Sequence, residues 1–194
     1  MKVEKTALDG VLLITPPMMS EDFRGTNTEI YNEELYRKAG INNNFILDSV
    51  STSRKHVLRG IHGDGHTTKL ISCLHGSLYV IVVNNDYESP QYMQWTSFTI
   101  SAQNRLQVLV PPKFGNSHLV MSDHAVFHYK LDAYYDRKSQ FTILWNNRNY
   151  KFWWPISNPI LSEIKPFVER LFTYVVLDFV LKFYLRDVVK IPFA

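Results

Sequence analysis

Leu58-Arg59-Gly60-Ile61-His62, with Lys69 seven residues further on, sets a cation, a glycine and an imidazole just ahead of a strand-like run. The glycine lets two stretches of backbone approach closely. The imidazole titrates near neutral pH, and the Lys69 ammonium supplies a compact positive charge. Residues 69–74 (KLISCL) read as a buried strand, with Cys73 an inert thiol inside it. Further runs rich in β-branched and aromatic residues follow at 77–83, 97–100, 106–110, 125–130 and 140–145, and precede it at 11–14 and 45–47. Gly10, Asn84-Asn85-Asp86, Ser89-Pro90, Pro111-Pro112 and Gly115 break the chain between them. Closely spaced strands with turn signals predict a β-sandwich or barrel. Residues 33–39 (EELYRKA) predict one short helix, ended by Gly40.

A length of 194 residues fits one domain with a terminal extension. Hydrophobic residues at 45% and charged residues at 20% are ordinary for a globular chain that buries its own core. The formal charge of +3 is small and no Lys/Arg block tracks a phosphate backbone, which argues against nucleic acid as a partner. A single cysteine allows no internal disulfide and suits a reducing compartment. No apolar signal core follows Met1-Lys2-Val3-Glu4-Lys5, so the expected location is cytoplasmic. The domain is expected to span 1–163, followed at 164–194 by an apolar extension. There Val168, Phe172, Val175, Phe179 and Phe183 share one helical face. Asp178 and Lys182 interrupt a run too short to cross a bilayer, so no membrane is predicted.

Two later segments complete a pattern: Pro111-Pro112-Lys113-Phe114-Gly115-Asn116-Ser117-His118, then Phe127-His128-Tyr129-Lys130. In this order, the three segments resemble the dTDP-4-dehydrorhamnose 3,5-epimerase family of cupin-type sugar-nucleotide epimerases. The family pattern is L-R-G-[LI]-H, a downstream Lys, a P-P-x-F-[AG]-H/N turn and an F-x-Y-K strand. The resemblance implies an all-β, jelly-roll cupin barrel with a short N-terminal helical insert and a C-terminal helical tail. It also implies a homodimer formed by strand exchange and no cofactor or metal. The substrate it implies is a nucleoside-diphosphate 4-keto sugar, epimerised at C3, C5 or both for surface polysaccharides.

The chemistry matches the residue types. A hydrogen beside a ketone is feebly acidic; removing it needs a base poised near neutrality and a group that meets the charge on the ketone oxygen. Inversion needs an acid on the opposite face. By resemblance His62 is the base, Tyr129 the acid and Lys69 the enolate partner. Arg24 and Arg59 match a diphosphate-binding pair, whose planar guanidinium forks suit paired phosphates. Glu29, Asp48, Ser49 and Tyr135 match positions near the nucleotide or sugar, and Asn116 and His118 match positions that face the substrate.

Three departures from the pattern stand out. Asn116 replaces the His usual in the P-P-x-F-A-H turn, with His118 two residues later; Asn hydrogen-bonds but does not titrate. Gly63-Asp64-Gly65-His66 follows His62 where an aromatic-Gln pair is usual. Leu161-Ser162-Glu163-Ile164-Lys165 lacks the Asp of L-S-x-K-D, which holds the imidazole in relatives, leaving Glu163 as the nearest carboxylate. The first two segments look more like a branch acting on GDP-linked 4-keto heptoses or 6-deoxy sugars. Two rival readings remain. One is a metal-dependent cupin using His62, His66, His75 and His118, although no His-x-His pair is present. The other is a non-catalytic sugar-nucleotide-binding or assembly protein, favoured by the missing Asp.

Overall fold

Residues 1–162 are described by the computed structural model, whose chain is almost entirely strand and turn. In order, these are β1 (Lys2–Lys5), β2 (Leu12–Thr15), β3 (Met18–Asp22), β4 (Gly25–Thr28), α1 (Glu33–Lys38), β5 (Leu47–Arg54), β6 (Leu58–Gly63) and β7 (Lys69–His75). Then follow β8 (Ser77–Asn84), β9 (Trp95–Ser101), β10 (Gln107–Val110), β11 (Phe114–Val120), β12 (His124–Leu131) and β13 (Phe141–Thr142). A six-stranded sheet runs β1-β2-β10-β7-β12-β5 and a five-stranded sheet runs β13-β6-β11-β8-β9. All their ladders are antiparallel and most neighbours are distant in sequence, as in a jelly roll.

The apolar residues of the inner faces make one core. Ile71, Cys73, Val108, Val110, Ala125 and Phe127 of the larger sheet meet Leu78, Val80, Val82, Ile100, Phe114 and Val120 of the smaller. Strand β8 is buried along nearly its whole length because its outer face is covered as well. That cover is aromatic: Trp95, Trp145, Phe152 and Trp154 lie on Leu58, Tyr79, Ile81 and Leu119. On the outer face of the larger sheet, α1 contributes Tyr36 to a cluster with Ile14, Ile41, Leu70 and Leu109. Helix α1 starts where Asn32 caps Leu35 N–H and carries Glu33 and Glu34 in its first turn, Arg37 and Lys38 in its last, matching the dipole. Among the described residues no helix is long and apolar enough to cross a membrane.

Several elements differ from expectation. The strand expected at 140–145 is only Phe141–Thr142, because Trp145 turns away to pack beside Trp154 and its carbonyl accepts Trp154 Nε1–H at 2.8 Å. The strand expected at 45–47 instead begins at Leu47 and runs to Arg54 through Asp, Ser and Thr. It is an edge strand whose neighbour is β12, and alternate positions face water, so polar residues suit it. The short β1 and the exposed β3–β4 hairpin carried no apolar alternation to announce them. The expected helical tail at 164–194, with the boundary before it, lies outside the described residues.

Candidate active site

Pairing registers decide which side chains face the barrel interior, since directly opposed residues share a face. Asn116 pairs with His62 on one side and Val82 on the other, and His118 pairs with Arg59 and Val80. Val80 and Val82 belong to the interior core, so His62, Arg59, Asn116 and His118 are all inward. From the larger sheet, Lys69 is inward by alternation with Ile71 and Cys73, and Tyr129 is inward as the partner of Ile71 and Ser49.

The close approach of β6 to β11 depends on glycine. Gly60 has φ +109°, and a Cβ there would lie 2.6 Å from the Asn116 carbonyl oxygen. At Gly63 a Cβ would lie 2.3 Å from the Phe114 carbonyl and 2.5 Å from the Phe141 ring. Glycine at both positions therefore brings His62 down beside Asn116.

Polar contacts link the two sheets across the interior. Lys69 Nζ donates to Asn116 Oδ1 at 3.3 Å and, more weakly, to the His62 carbonyl at 3.5 Å. Arg59 Nε donates to Ser53 Oγ at 2.9 Å. Both cations thus bond neutral oxygens, leaving positive charge facing the interior, as an anionic ligand requires. His62 Nδ1 lies 3.0 Å from Thr142 Oγ1. Burial, then the charge of Lys69, lowers the His62 pKa below the usual imidazole value, and burial likewise lowers that of Lys69. His118 stacks on Phe127 with ring centroids 4.1 Å apart, and its Nε2 is buried without a partner among the described residues. Burial, with Arg59 nearby, pushes its pKa down to about 3, so the ring is neutral at working pH.

Asp64, one residue past Gly63, is buried and accepts from the backbone N–H groups of His66 and Thr67 at 2.9 and 2.7 Å. Its second oxygen accepts from Gln140 Nε2 at 2.8 Å. Burial alone would raise its pKa, but these donors outweigh it and the carboxyl sits below its ordinary value. This anchored turn replaces the aromatic-Gln pair of the family pattern. Cys73 is buried with its thiol pushed up to about 11, in keeping with an inert side chain.

The remaining expected residues fall elsewhere in the single chain. Asp48 pairs with Lys130, on the face opposite Ser49, and holds Lys130 Nζ at 2.8 Å and His128 Nε2 at 2.9 Å. That face is the outer one, so Asp48 points away from His62, while Ser49 points in. Arg24 lies in the exposed β3–β4 hairpin, bidentate to Asp22. Glu29 accepts from Asn32 Nδ2 at 3.1 Å ahead of α1. Tyr135 is exposed in the segment after β12. Of the rival metal ligands, His75 stacks on His124 at the far end of β7, and among the described residues no three His, Cys, Asp or Glu converge to hold an ion. Sequence reading missed Thr142, Gln140 and the anchoring role of Asp64. An Asp three residues before a Thr-Thr pair, with Gly65 between, is an Asx-turn signal that was available for the last of these.

The family model for dTDP-4-dehydrorhamnose 3,5-epimerase matches residues 5–165. The dTDP-4-dehydrorhamnose 3,5-epimerase of Salmonella typhimurium is 35% identical over 167 residues, 84% of this chain and 91% of that protein. The crystal structure of the Bacillus anthracis enzyme of that name, with TDP and pyrophosphate bound, superposes with a TM-score of 0.80 at 33% identity, covering 84% of this chain and 94% of that one. The Legionella pneumophila epimerase in complex with dTDP-4-keto-L-rhamnose gives 0.79 at 31% identity, covering 84% and 88%. The chain belongs to the dTDP-4-dehydrorhamnose 3,5-epimerase family, and it is an isomerase of the sugar-nucleotide epimerase type.

Proposed function

We propose that the protein inverts C3, C5 or both of a nucleotide-linked 4-keto sugar, with His62 as base, Lys69 meeting the enolate oxygen and Tyr129 returning a proton from the opposite face. The observation that carries this reading is the meeting of His62, Lys69 and Asn116 on inward faces of two different sheets, joined by the Lys69–Asn116 hydrogen bond. A base whose pKa lies below the usual imidazole value, and a cation that makes no ion pair with a carboxylate among the described residues, suit proton abstraction beside a carbonyl. Arg59 and Ser49 line the same interior and suit the diphosphate and the sugar, while Asn116 and His118 supply neutral hydrogen-bonding groups.

Arg24, Glu29 and Tyr135 are placed in this reading by a homodimer. The β3–β4 hairpin projects Phe23, 99% exposed, with Met18 and Met19 also bare, and such a hairpin suits exchange onto a second copy, carrying Arg24 to the partner's barrel. Asp48 serves the sheet rather than the ligand. A domain boundary at 163/164, a cytoplasmic location and a place in making surface-polysaccharide precursors belong to the same proposal.

The names of the relatives favour dTDP as the nucleotide. A second reading, a GDP-linked 4-keto heptose, is favoured by the turn anchored on Asp64 and by Asn116 with His118 in the later motif. Incubation with dTDP- and GDP-linked 4-keto sugars in deuterium oxide tests both. Deuterium entering C3 or C5 of one of them supports the epimerase and names its nucleotide. Binding without exchange of any would leave a non-catalytic sugar-nucleotide-binding protein.

A further inference from the structure

Thr142 sits on a strand of only two residues, yet that strand is fixed on three sides. Its neighbour Ile143 donates its N–H to the Ile61 carbonyl at 3.0 Å. Gln140, two residues before it, is held by the buried Asp64 carboxylate. The Phe141 ring lies over Gly63 and Gly115, where added Cβ atoms would come within 2.5 and 3.3 Å of it. Thr142 itself pairs with His62 across the ladder, and its hydroxyl oxygen lies 3.0 Å from His62 Nδ1. Among the described residues it is the side chain that meets that nitrogen. In the L-S-x-K-D pattern a carboxylate does so; here Ile164-Lys165 occupy the corresponding sequence positions.

We infer that Thr142 is the positioning residue of His62: its hydroxyl oxygen accepts the Nδ1–H, which leaves Nε2 unprotonated and turned away from β13. The inference rests on the reading of His62 as the base. The physics is that of a partner fixing an imidazole tautomer through the nitrogen it does not use. A hydroxyl differs from a carboxylate in one respect. It orients the ring but carries no charge to stabilise the imidazolium. Among the described residues, Lys69 is a cation near the ring and disfavours imidazolium, while Asp64 is committed to its own turn and Gln140. The ring is therefore set as a neutral acceptor. The Asp64–Gln140 contact serves the same end indirectly, by holding β13 at the register that puts Thr142 opposite His62.

The test is nitrogen-15 NMR of the histidine rings in the full chain without ligand, on wild type, Thr142→Val and Thr142→Ser. In wild type, His62 is expected as the Nδ1–H tautomer; Ser should keep it and Val should lose it, with unchanged melting temperature. In exchange assays Val should lower kcat on the order of 10-fold or more with KM little changed, the scale seen when a histidine's outer partner is removed, and Ser should restore it. An Nε2–H tautomer in wild type, or the same tautomer in Val, overturns the inference. Absence of any isotope exchange in wild type, with the Nδ1–H tautomer present, would instead fell the epimerase reading while the Thr142 contact stood.

Discussion

His118 is 4% exposed against the Phe127 ring, and the same burial that holds it neutral ties it to acid stability. Unfolded, its imidazole binds a proton near pH 6.5; folded, it resists until about 3. Between these values the unfolded chain binds more protons, so stability falls as pH drops through the window, by about 1.4 kcal/mol per pH unit from this residue. His118→Phe should remove that slope while keeping the stacked ring, checked by urea unfolding at pH 6 and pH 4. A second prediction concerns His62, whose pKa is lowered by burial and then by Lys69. The base works deprotonated, so the acid limb of the exchange rate should lie below pH 6.5. Lys69→Met should move that limb upward, toward the ordinary imidazole value. It should also slow the reaction on the order of 10² to 10³, as loss of an oxyanion partner does. His62→Asn should abolish exchange at every carbon, whereas Tyr129→Phe should leave some exchange with little inversion, read from product stereochemistry.

Strands β6 and β11 show how tightly an element can be specified by what it lacks. Gly60→Ala would place a methyl against the Asn116 carbonyl at a φ that side chains rarely adopt. The two costs together should destabilise on the order of 2 to 4 kcal/mol, measured by urea unfolding. Legibility in the sequence follows the same physics. Strands buried on one or both faces, such as β8, β10 and β12, announced themselves by apolar β-branched runs. Edge strand β5 and strand β4 are written largely in Ser, Thr, Asp and Asn, whose local signal is that of a turn, and only a neighbouring strand makes them extended. The inward set His62, Lys69, Asn116, His118 and Tyr129 was legible because motif order marked it. Thr142 was not, since its contact with His62 depends on a ladder between residues 80 positions apart. The outward direction of Asp48 was not legible, because its place next to inward Ser49 sets it through a register that the motif does not carry.

At the scale of the whole molecule, the exposed apolar hairpin makes the proposed homodimer testable. Met19→Ser with Phe23→Ser should yield a monomer in analytical ultracentrifugation, and an unchanged dimer would remove the hairpin from the interface. The aromatic cover of the five-stranded sheet has a consequence of another kind. All four tryptophans of the chain, Trp95, Trp145, Trp153 and Trp154, belong to it or adjoin it. Trp95 donates its indole N–H to the Tyr150 carbonyl and Trp154 to that of Trp145, each at 2.8 Å, whereas Trp153 is 62% exposed. None is on the inward faces around His62. Ultraviolet emission is therefore a gauge of the outer cover alone. A red-shifted, iodide-quenchable component from Trp153 should stand apart from the shielded rest. Saturating the barrel with a sugar nucleotide should leave the shielded emission almost unmoved, so that titrations of this protein call for calorimetry or a labelled ligand rather than its own light.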